Sequence, residues 1–296
     1  MLTLGQNANV PTQNAPTLRV DIDLVLLTAT VKDRANRYVA GLTKENFQIW
    51  EDKTEQQIQY FSEEDVPLSV GIIFDISGSM ANKLAAARLA ASTFLRMGGQ
   101  ADEYFLVGFS DRAGMMQDFT TDITKLQNSL LSTYAKGGTS LYDALYLGMD
   151  KVNRGHNSRK ALLLITDGED NHSRYSFSDV REFAKEHDVL IYAIGLLEEQ
   201  SIQSPQIGAA VLQDLANLTG GAAYFPSSVG ALDAICAQIG NDLKNQYVVG
   251  YHSTNPSTDG KWRKIRVKIN TPKGVPRLSV RAKSGYYASR VATAMK

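Results

Sequence analysis

Cysteine is nearly absent from this 296-residue sequence, which contains only Cys236. One cysteine cannot build a disulfide framework, and Cys236 lies in a helical pattern of apolar residues that predicts its burial. The sequence also lacks any run of 18 apolar residues, so no membrane-spanning helix is predicted. Basic and acidic residues balance at 31 each, which argues against a protein that coats nucleic acid.

The overall neutrality hides an uneven distribution of charge. Residues 1–66 hold 10 acidic and 6 basic residues, residues 67–243 hold 20 and 13, and residues 244–296 hold 1 and 12. In the last segment, Lys and Arg alternate with apolar residues, as over 264–269. We therefore interpret this basic segment as the exposed face of a β-sheet, and we predict no nucleic-acid partner.

Residues 1–17 are rich in Gln, Asn, Pro and Thr and contain no Lys or Arg. They lack the basic start of a signal peptide, and we predict that they form a flexible leader. Such a leader would remain after an export signal had been removed. On that assumption we predict an extracytoplasmic location, periplasmic, secreted or on the cell surface. A cytoplasmic protein with a disordered N-terminus stays the alternative.

Residues 67–244 alternate short apolar strands with longer helical patterns. Strands are predicted at Leu68–Asp75, Tyr104–Ser110, Met115–Phe119, Ala161–Thr166, Val189–Gly195 and Ala222–Phe225, and helices at 81–98, 123–135, 140–153, 178–187, 207–219 and 229–245. This alternation predicts an α/β domain with a mainly parallel six-stranded sheet and helices on both faces. The second and third strands are too close in sequence for a crossover helix, so the third is predicted as an antiparallel edge strand.

Both flanks of this domain show the two-residue alternation of half-buried antiparallel strands. In the first flank, residues 18–66, alternate positions are occupied by Val20, Ile22, Leu24 and Leu26. Neither this flank nor residues 245–290 contains enough strands to cover its own apolar face, so we predict that the two fold together as a β-sandwich. The α/β domain would then be an insertion, with junctions at Pro67 and near Asn245.

Polar residues cluster where three predicted loops meet. Asp75, Ser77 and Ser79 follow the first central strand and precede a helix, so they lie at the carboxyl edge of the sheet, where open α/β sheets bind ligands and ions. Thr139 follows two glycines before the third central helix, and Asp167 directly follows the fourth strand. The paired glycines allow that loop to approach its neighbours closely.

This set offers oxygen ligands only. Two carboxylates and three hydroxyls, without His or Cys, suit Mg²⁺ first, with Mn²⁺ or Ca²⁺ as alternatives, and argue against zinc. Because only two of these groups carry charge, a bound cation would attract one more anionic oxygen, such as a Glu or Asp of another protein. The alternative roles are helix N-capping for Ser77 and Ser79, and a tight turn at Asp167.

The motif Asp-x-Ser-x-Ser, a Thr after Gly-Gly, and a strand that ends in Thr-Asp-Gly resemble the metal-ion-dependent adhesion site (MIDAS) of the von Willebrand factor A (VWA) domain. The resemblance covers residues 67–243. It implies a mainly parallel six-stranded sheet with one antiparallel edge strand, and a divalent metal completed by an acidic residue of the partner. By this resemblance Ser77, Ser79 and Thr139 are the hydroxyl ligands, and Asp75 and Asp167 bind the metal directly or through water.

The flanks add a weaker likeness to bacterial, notably acidobacterial, proteins related to the VWA domain, and the inserted arrangement resembles the head of integrin β chains. We expect a non-enzymatic, metal-dependent protein-binding module of the cell-adhesion type. The stretch 169–172 is interpreted as a solvated loop, and its His172, without a positioned nucleophile, gives no evidence of catalysis.

Two alternative functions stay open. One is a cytosolic scaffold subunit of an ATPase or chelatase assembly, in which VWA domains also occur. The other is a Mg²⁺-dependent hydrolase or phosphotransferase, although the sequence lacks a P-loop and a phosphate-binding Lys at a motif position.

Overall fold

A computed structural model of the protein describes residues 24–63, 66–167, 170–197, 204–272 and 274–290. The predicted leader and the start of the predicted N-terminal strand lie outside these residues. Among the described residues, no helix has the length and apolar character needed to cross a membrane.

In chain order the strands are β1 (Leu24–Lys32), β2 (Phe47–Glu51), β3 (Thr54–Gln56), β4 (Ile58–Glu63), β5 (Leu68–Asp75), β6 (Glu103–Phe109), β7 (Ala113–Thr120), β8 (Arg159–Thr166), β9 (Leu190–Gly195), β10 (Ala222–Tyr224), β11 (Tyr247–His252), β12 (Trp262–Ile269), β13 (Ser279–Ala282) and β14 (Gly285–Tyr287). The helices are α1 (Leu84–Arg96), α2 (Ile123–Leu131), α3 (Leu141–Val152), α4 (Phe177–Glu186), α5 (Ser204–Thr219) and α6 (Leu232–Lys244).

The central sheet contains six strands in the order β10-β9-β8-β5-β6-β7. Neighbouring strands are parallel except β6 and β7, which are antiparallel. The predicted mainly parallel sheet with one antiparallel edge strand is thus confirmed. Helices α1, α2 and α6 pack on one face and α3, α4 and α5 on the other, so β5 is buried along its whole length.

Gly71 lies in β5, where the sheet leaves no room for a side chain. A Cβ atom there would overlap the Phe105 ring and lie 2.6 Å from Leu162 Cδ2. We expect Gly71→Ala to lower the free energy of unfolding by roughly 1–3 kcal/mol, because buried neighbours must move. Urea denaturation measures this change. The matched control is Gly114→Ala in β7, where an added Cβ meets nothing within 4 Å; equal losses in the two variants would contradict the packing argument.

The two flanks of the chain build two further four-stranded antiparallel sheets. Their strand orders are β13-β1-β11-β4 and β14-β12-β2-β3, so each sheet combines strands from both sides of the central domain. Apolar side chains of both sheets join in one core cluster, which includes Leu27, Ile49 and Tyr247. The two sheets support the predicted β-sandwich in part, and the domain boundaries at Pro67 and Asn245 stay predictions.

The chain leaves and rejoins the first of these sheets at neighbouring strands. β4 and β11 are antiparallel partners, with Glu63 opposite Tyr247. The whole central sheet lies between these two residues in sequence. Its two connections to the flanking sheets therefore lie side by side, as an inserted domain requires.

The orientation of β1 differs from the sequence pattern. Leu24 and Leu26, which the alternation placed on the apolar side of a half-buried strand, are 40% and 43% exposed, whereas Val25 and Leu27 face the core. All four residues are apolar at this point of the strand. The two-residue period therefore gives no signal here, and pairing with β11 decides which side faces the core.

A buried charge cluster, formed by Lys32, Asp242 and Arg281, joins α6 to the first flanking sheet. Asp242 Oδ1 lies 2.8 Å from Nζ of Lys32 in β1, and Oδ2 pairs with the guanidinium of Arg281 in β13. The side chains of Lys32 and Asp242 are 4% and 2% exposed. The interpretation of the basic segment as an exposed face is therefore wrong for Arg281, because a carboxylate of α6 lies over it.

Candidate metal site

The predicted oxygen ligands lie in three loops at the carboxyl edge of the central sheet. β5 ends at Asp75, and Ser77 and Ser79 lie in the turn that follows. Thr139 lies two residues before α3, and Asp167 directly follows β8. β5 and β8 are adjacent parallel strands, so their carboxyl ends meet at one point of the sheet.

Backbone hydrogen bonds hold the first two loops together. Gly78 N–H donates to the Gly137 carbonyl at 3.0 Å, and Lys136 N–H donates to the Ile76 carbonyl at 2.9 Å. Gly137 has a φ of +73°, and a Cβ atom there would collide with the carboxylate of Asp111. This position requires glycine, which confirms the close approach predicted from the paired glycines.

Asp75 is fully buried, and each of its oxygens accepts a hydrogen bond. Ser77 N–H donates to Oδ1 at 2.8 Å, and the Thr166 hydroxyl donates to Oδ2 at 2.6 Å. Burial and, to a smaller extent, the negative charge of Asp167 raise the pKa of Asp75, the hydrogen bonds from Ser77 and Thr166 oppose this shift, and the net result is a pKa of about 6. A nearby cation would favour the charged form of this carboxyl group.

The hydroxyls of Ser77 and Ser79 lie side by side, with their Oγ atoms 3.1 Å apart. Ser77 is buried and Ser79 is exposed, so the set opens to solvent at Ser79. Ser77 precedes a 3₁₀ turn without a side-chain capping hydrogen bond, and the N-cap of α1 is Lys83. The N-capping alternative for the two serines is therefore wrong, and both hydroxyls remain available as ligands.

Thr139 is positioned by the loop that follows Asp167. Its N–H donates to Asn171 Oδ1 at 2.9 Å, and its carbonyl accepts the N–H groups of Asn171 and His172 at 3.0 and 3.1 Å. Asn171 and His172 are exposed, as expected of a solvated loop. The same residues nevertheless fix the backbone of Thr139, a role that the sequence interpretation did not include.

The two oxygens of Asp167 have different surroundings. Oδ2 lies 3.4 Å from Nζ of Lys83. Oδ1 is buried and has no hydrogen-bond partner within the described ranges. A buried acceptor left without a donor costs roughly 1–3 kcal/mol. A cation bound to Oδ1 would remove this cost, so this atom fits a metal site.

The donor set as a whole suits a hard divalent cation. In the part of the chain that the structure describes, no group of three or more His, Cys, Asp or Glu side chains is placed to hold a metal. A cation at this edge would therefore depend on hydroxyls as well as on Asp75 and Asp167. Mg²⁺ binds sites with one or two carboxylates and retains several waters, which matches a set with this little charge.

Sequence reasoning missed three residues that shape the site. Thr166 holds Asp75, Asn171 holds Thr139, and Lys83 faces Asp167. A signal was available for Thr166, since it is the last residue of a strand next to β5. No sequence pattern marked Lys83 or Asn171 as part of the site, because their contacts depend on how separate loops pack.

A groove of about 780 Å³ lies beside the site. Asp111 and His172 line the groove and also support the loops of the site. Asp111 accepts the Gly138 N–H at 2.6 Å, and the His172 N–H donates to the Thr139 carbonyl. Further along the groove, the rings of Tyr146 and Tyr175 stack with centroids 4.2 Å apart. The groove wall combines these two aromatic rings with charged side chains, among them Asp143 and Arg174.

Comparison with known proteins adds the following similarities. Residues 70–169 match the family model of the von Willebrand factor type A domain. A solved structure described as von Willebrand factor type A from Catenulispora acidiphila aligns with 92% of this chain and 74% of its own, at 11% identity and a TM-score of 0.53. No curated protein matches the sequence.

Two other solved structures align with a smaller part of the chain. Proximal thread matrix protein 1 from the mussel byssus aligns with 66% of this chain and 51% of its own, at 16% identity and a TM-score of 0.53. The conserved hypothetical protein BatB from Bacteroides thetaiotaomicron aligns with 60% of this chain and 100% of its own, at 20% identity and a TM-score of 0.48. At sequence identities this low, a structural similarity concerns the fold alone.

Proposed function

We propose that the protein is a non-enzymatic binding module that uses a divalent cation to recruit an acidic residue of a partner protein. The match of residues 70–169 to the von Willebrand factor type A domain supports this proposal. The five oxygen ligands of the three loops would hold the cation, with Mg²⁺ first and Mn²⁺ or Ca²⁺ as alternatives. The observation that carries this proposal is the Oδ1 atom of Asp167, which is buried and has no hydrogen-bond partner among the described residues, close to the fully buried Asp75.

The charges of the ligand set explain why the partner would be acidic. Asp75 and Asp167 together neutralise one divalent cation, and the other three ligands are uncharged hydroxyls. When bound, Mg²⁺ supplies a coordination position for one more oxygen from outside. Ser79 is the exposed ligand, so a partner would approach the site from its side.

The loops that carry the predicted ligands are held together, which suits a binding site. The loops of Ser77 and Thr139 are joined by main-chain hydrogen bonds, so their ligands are held in place before any partner arrives. The neighbouring groove, with Asp111 and Tyr175 in its wall, offers room for residues on either side of the partner's carboxylate.

An extracytoplasmic location, periplasmic, secreted or on the cell surface, belongs to the same proposal. The hydrolase and the cytosolic scaffold gain no specific support from the site. His172, the histidine beside it, uses its main chain to hold Thr139.

Calorimetric titration of Mg²⁺ tests the metal site. We expect the wild type to bind with a dissociation constant of roughly 10⁻⁴–10⁻³ M, the range of weakly charged extracellular oxygen sites. Asp75→Ala should lose this binding, because it removes one of the two charged ligands. Asp118→Ala, which removes an exposed carboxylate of β7, is the control and should bind as the wild type does. Equal heats from the wild type and Asp75→Ala would refute the metal site.

Partner binding needs a second experiment. The wild type and Asp75→Ala serve as baits for a native envelope fraction, in Mg²⁺ and in EDTA. Only proteins that are lost both with the chelator and with the variant count as partners of the site. Mg²⁺-dependent turnover of phosphoesters that Asp75→Asn abolishes would instead favour the hydrolase.

A further inference from the structure

The buried charge cluster between α6 and the first flanking sheet carries unequal numbers of positive and negative charges. Lys32 and Arg281 contribute two positive charges, and Asp242, which pairs with both, contributes one negative charge. Within the described residues, neither Lys32 nor Arg281 has a second carboxylate at ion-pair distance. The cluster therefore holds one excess positive charge, although the side chains of Lys32 and Asp242 are 4% and 2% exposed.

Hydrogen-bond donors are in excess at the same place. An ammonium group has three N–H donors, and Lys32 Nζ contacts one acceptor among the described residues, Asp242 Oδ1. The Nε atom of Arg281 and the hydroxyl of Tyr192 are buried without a hydrogen-bond partner in the described part of the chain. Tyr192 belongs to this cluster, because Cζ of Arg281 lies over its ring, 5.9 Å from the centroid. What the cluster lacks is an acceptor that carries negative charge.

We propose that the charge cluster binds a small monovalent inorganic anion, and that chloride fills this role. Burying a charge is costly unless a counter-charge is placed beside it, and one monovalent anion brings the net charge of the cluster to zero. The same anion would accept the hydrogen bonds that Asp242 leaves unmade. A water molecule would accept hydrogen bonds as well, but it would leave the excess charge. A divalent anion would replace the positive excess by a negative one.

The cluster is accessible to an ion from solvent. Arg281 is its exposed member, with a side chain that is 28% exposed. Together with Lys283, Arg281 lines a cleft of about 220 Å³. This volume corresponds to several water molecules, so a hydrated anion can enter. Lys283 already pairs with Asp188 at 3.1 Å, and the excess charge that would hold the anion is therefore that of Lys32 and Arg281.

A bound anion would fasten the central domain to the flanking sheet. Asp242 belongs to α6, whereas Lys32 and Arg281 belong to β1 and β13. Since the unfolded chain does not bring these residues together, the anion would bind the folded protein selectively and stabilise it. With a dissociation constant of roughly 10 mM, chloride at about 0.1 M would raise the ratio of folded to unfolded protein about tenfold.

The test is a titration of the full chain with sodium chloride, followed by the line width in chlorine NMR. EDTA is present, so that no bound divalent cation takes part. Chloride that exchanges with a protein site gives a broadened line, and we expect saturable broadening by the wild type with a dissociation constant of roughly 10 mM. Lys32→Met removes the excess charge and leaves the pair of Asp242 and Arg281, so it should bind chloride roughly tenfold more weakly or not at all. The matched control is Lys264→Met, which removes an exposed lysine of β12 and should bind as the wild type does.

Urea unfolding provides a second measurement. Each protein is unfolded in sodium chloride and in sodium gluconate at the same ionic strength, so that screening is equal. We expect chloride to raise the ratio of folded to unfolded protein about tenfold for the wild type and for Lys264→Met, and to leave it unchanged for Lys32→Met. Circular dichroism establishes that each variant is folded, and Lys32→Gln replaces Lys32→Met if the latter is not.

The outcomes separate a built anion site from its alternatives. Equal broadening by the wild type and Lys32→Met would mean that chloride binds elsewhere on the surface, and it overturns the proposal. Loss of broadening in Lys264→Met as well would assign the effect to the general charge of the flanking sheets, and it overturns the proposal too. A wild type that neither broadens the line nor gains stability in chloride would have water at the cluster instead of an anion. Because Lys32 and Arg281 are not predicted metal ligands, none of these results bears on the proposed cation site.

Discussion

Replacing Asp242 with alanine is expected to lower the free energy of unfolding by roughly 3–5 kcal/mol. The substitution leaves Lys32 and Arg281 facing each other without the carboxylate that pairs with both. Burial already lowers the pKa of Lys32, and the hydrogen bond and charge of Asp242 oppose that shift. Without Asp242, the fold must either bury an unpaired charge or rearrange where α6 meets β1 and β13.

Urea unfolding at neutral pH measures this loss. The matched control is Asp118→Ala, which breaks an ion pair of similar length, 2.6 Å to Lys151, in which the Asp118 side chain is 68% exposed. Exposed pairs contribute at most about 1 kcal/mol, so this variant should remain close to the wild type. A loss of similar size in both variants would show that burial of the cluster is not what makes Asp242 important.

Replacing Asp75 with asparagine is expected to stabilise the metal-free protein and to abolish its response to Mg²⁺. Asparagine can still accept the N–H of Ser77, and its amide can donate to the Thr166 hydroxyl, so the polar contacts survive while the buried charge disappears. The gain should be about 3 kcal/mol at pH 8, which corresponds to the difference between the folded and unfolded pKa values of Asp75. Functional sites commonly carry such a cost in stability.

The pH dependence of this gain has a definite sign. The pKa of Asp75 is raised from 3.8 to about 6 on folding, chiefly by burial, so the carboxyl group stabilises the fold only while it is protonated. The charged form of Asp75 destabilises the fold. This cost grows as the pH rises from 3.8, the pKa in the unfolded chain, to about 6, the pKa in the folded protein, and it is complete above pH 6. The gain from asparagine should therefore fall to about half between pH 8 and pH 5.

Urea unfolding in EDTA at the two pH values tests the stability of the Asp75→Asn variant. Melting temperatures with and without Mg²⁺ test its binding, since a ligand of the folded state raises the melting temperature. Asp118→Asn is the control, because Lys151 and the Phe119 N–H hold the pKa of that exposed carboxyl group below its usual value. A destabilised Asp75→Asn variant at pH 8 would contradict the argument.

The central domain was predictable because its signals are local. Apart from β7, the strands from β5 to β10 are short apolar runs, and the helices between them carry their own apolar faces, so element type and order follow from periodicity. The antiparallel edge strand β7 followed from the few residues that separate it from β6. The ligand loops were predictable for the same reason, since each one directly follows a strand or precedes a helix.

The remaining features depend on contacts between distant segments. The apolar start of β1 gave no reliable period, and only its pairing with β11 buries Val25 rather than Leu26. Arg281 alternates with apolar residues like its neighbours, and nothing in that pattern predicts the carboxylate of Asp242 above it. Lys83 likewise lies at an ordinary helix start, and its place beside the site depends on a contact with Asp167, which is 84 residues further along the chain.

The side-by-side connections of the central domain determine how a mechanical load would pass through the protein. A partner that pulled on the proposed cation site along the axes of β4 and β11 would draw Glu63 and Tyr247, which lie opposite each other, in the same direction. The hydrogen bonds between antiparallel strands lie perpendicular to that direction. Two paired strands that are drawn the same way do not slide past each other, so the shear would fall on the hydrogen bonds between β11 and its other neighbour, β1.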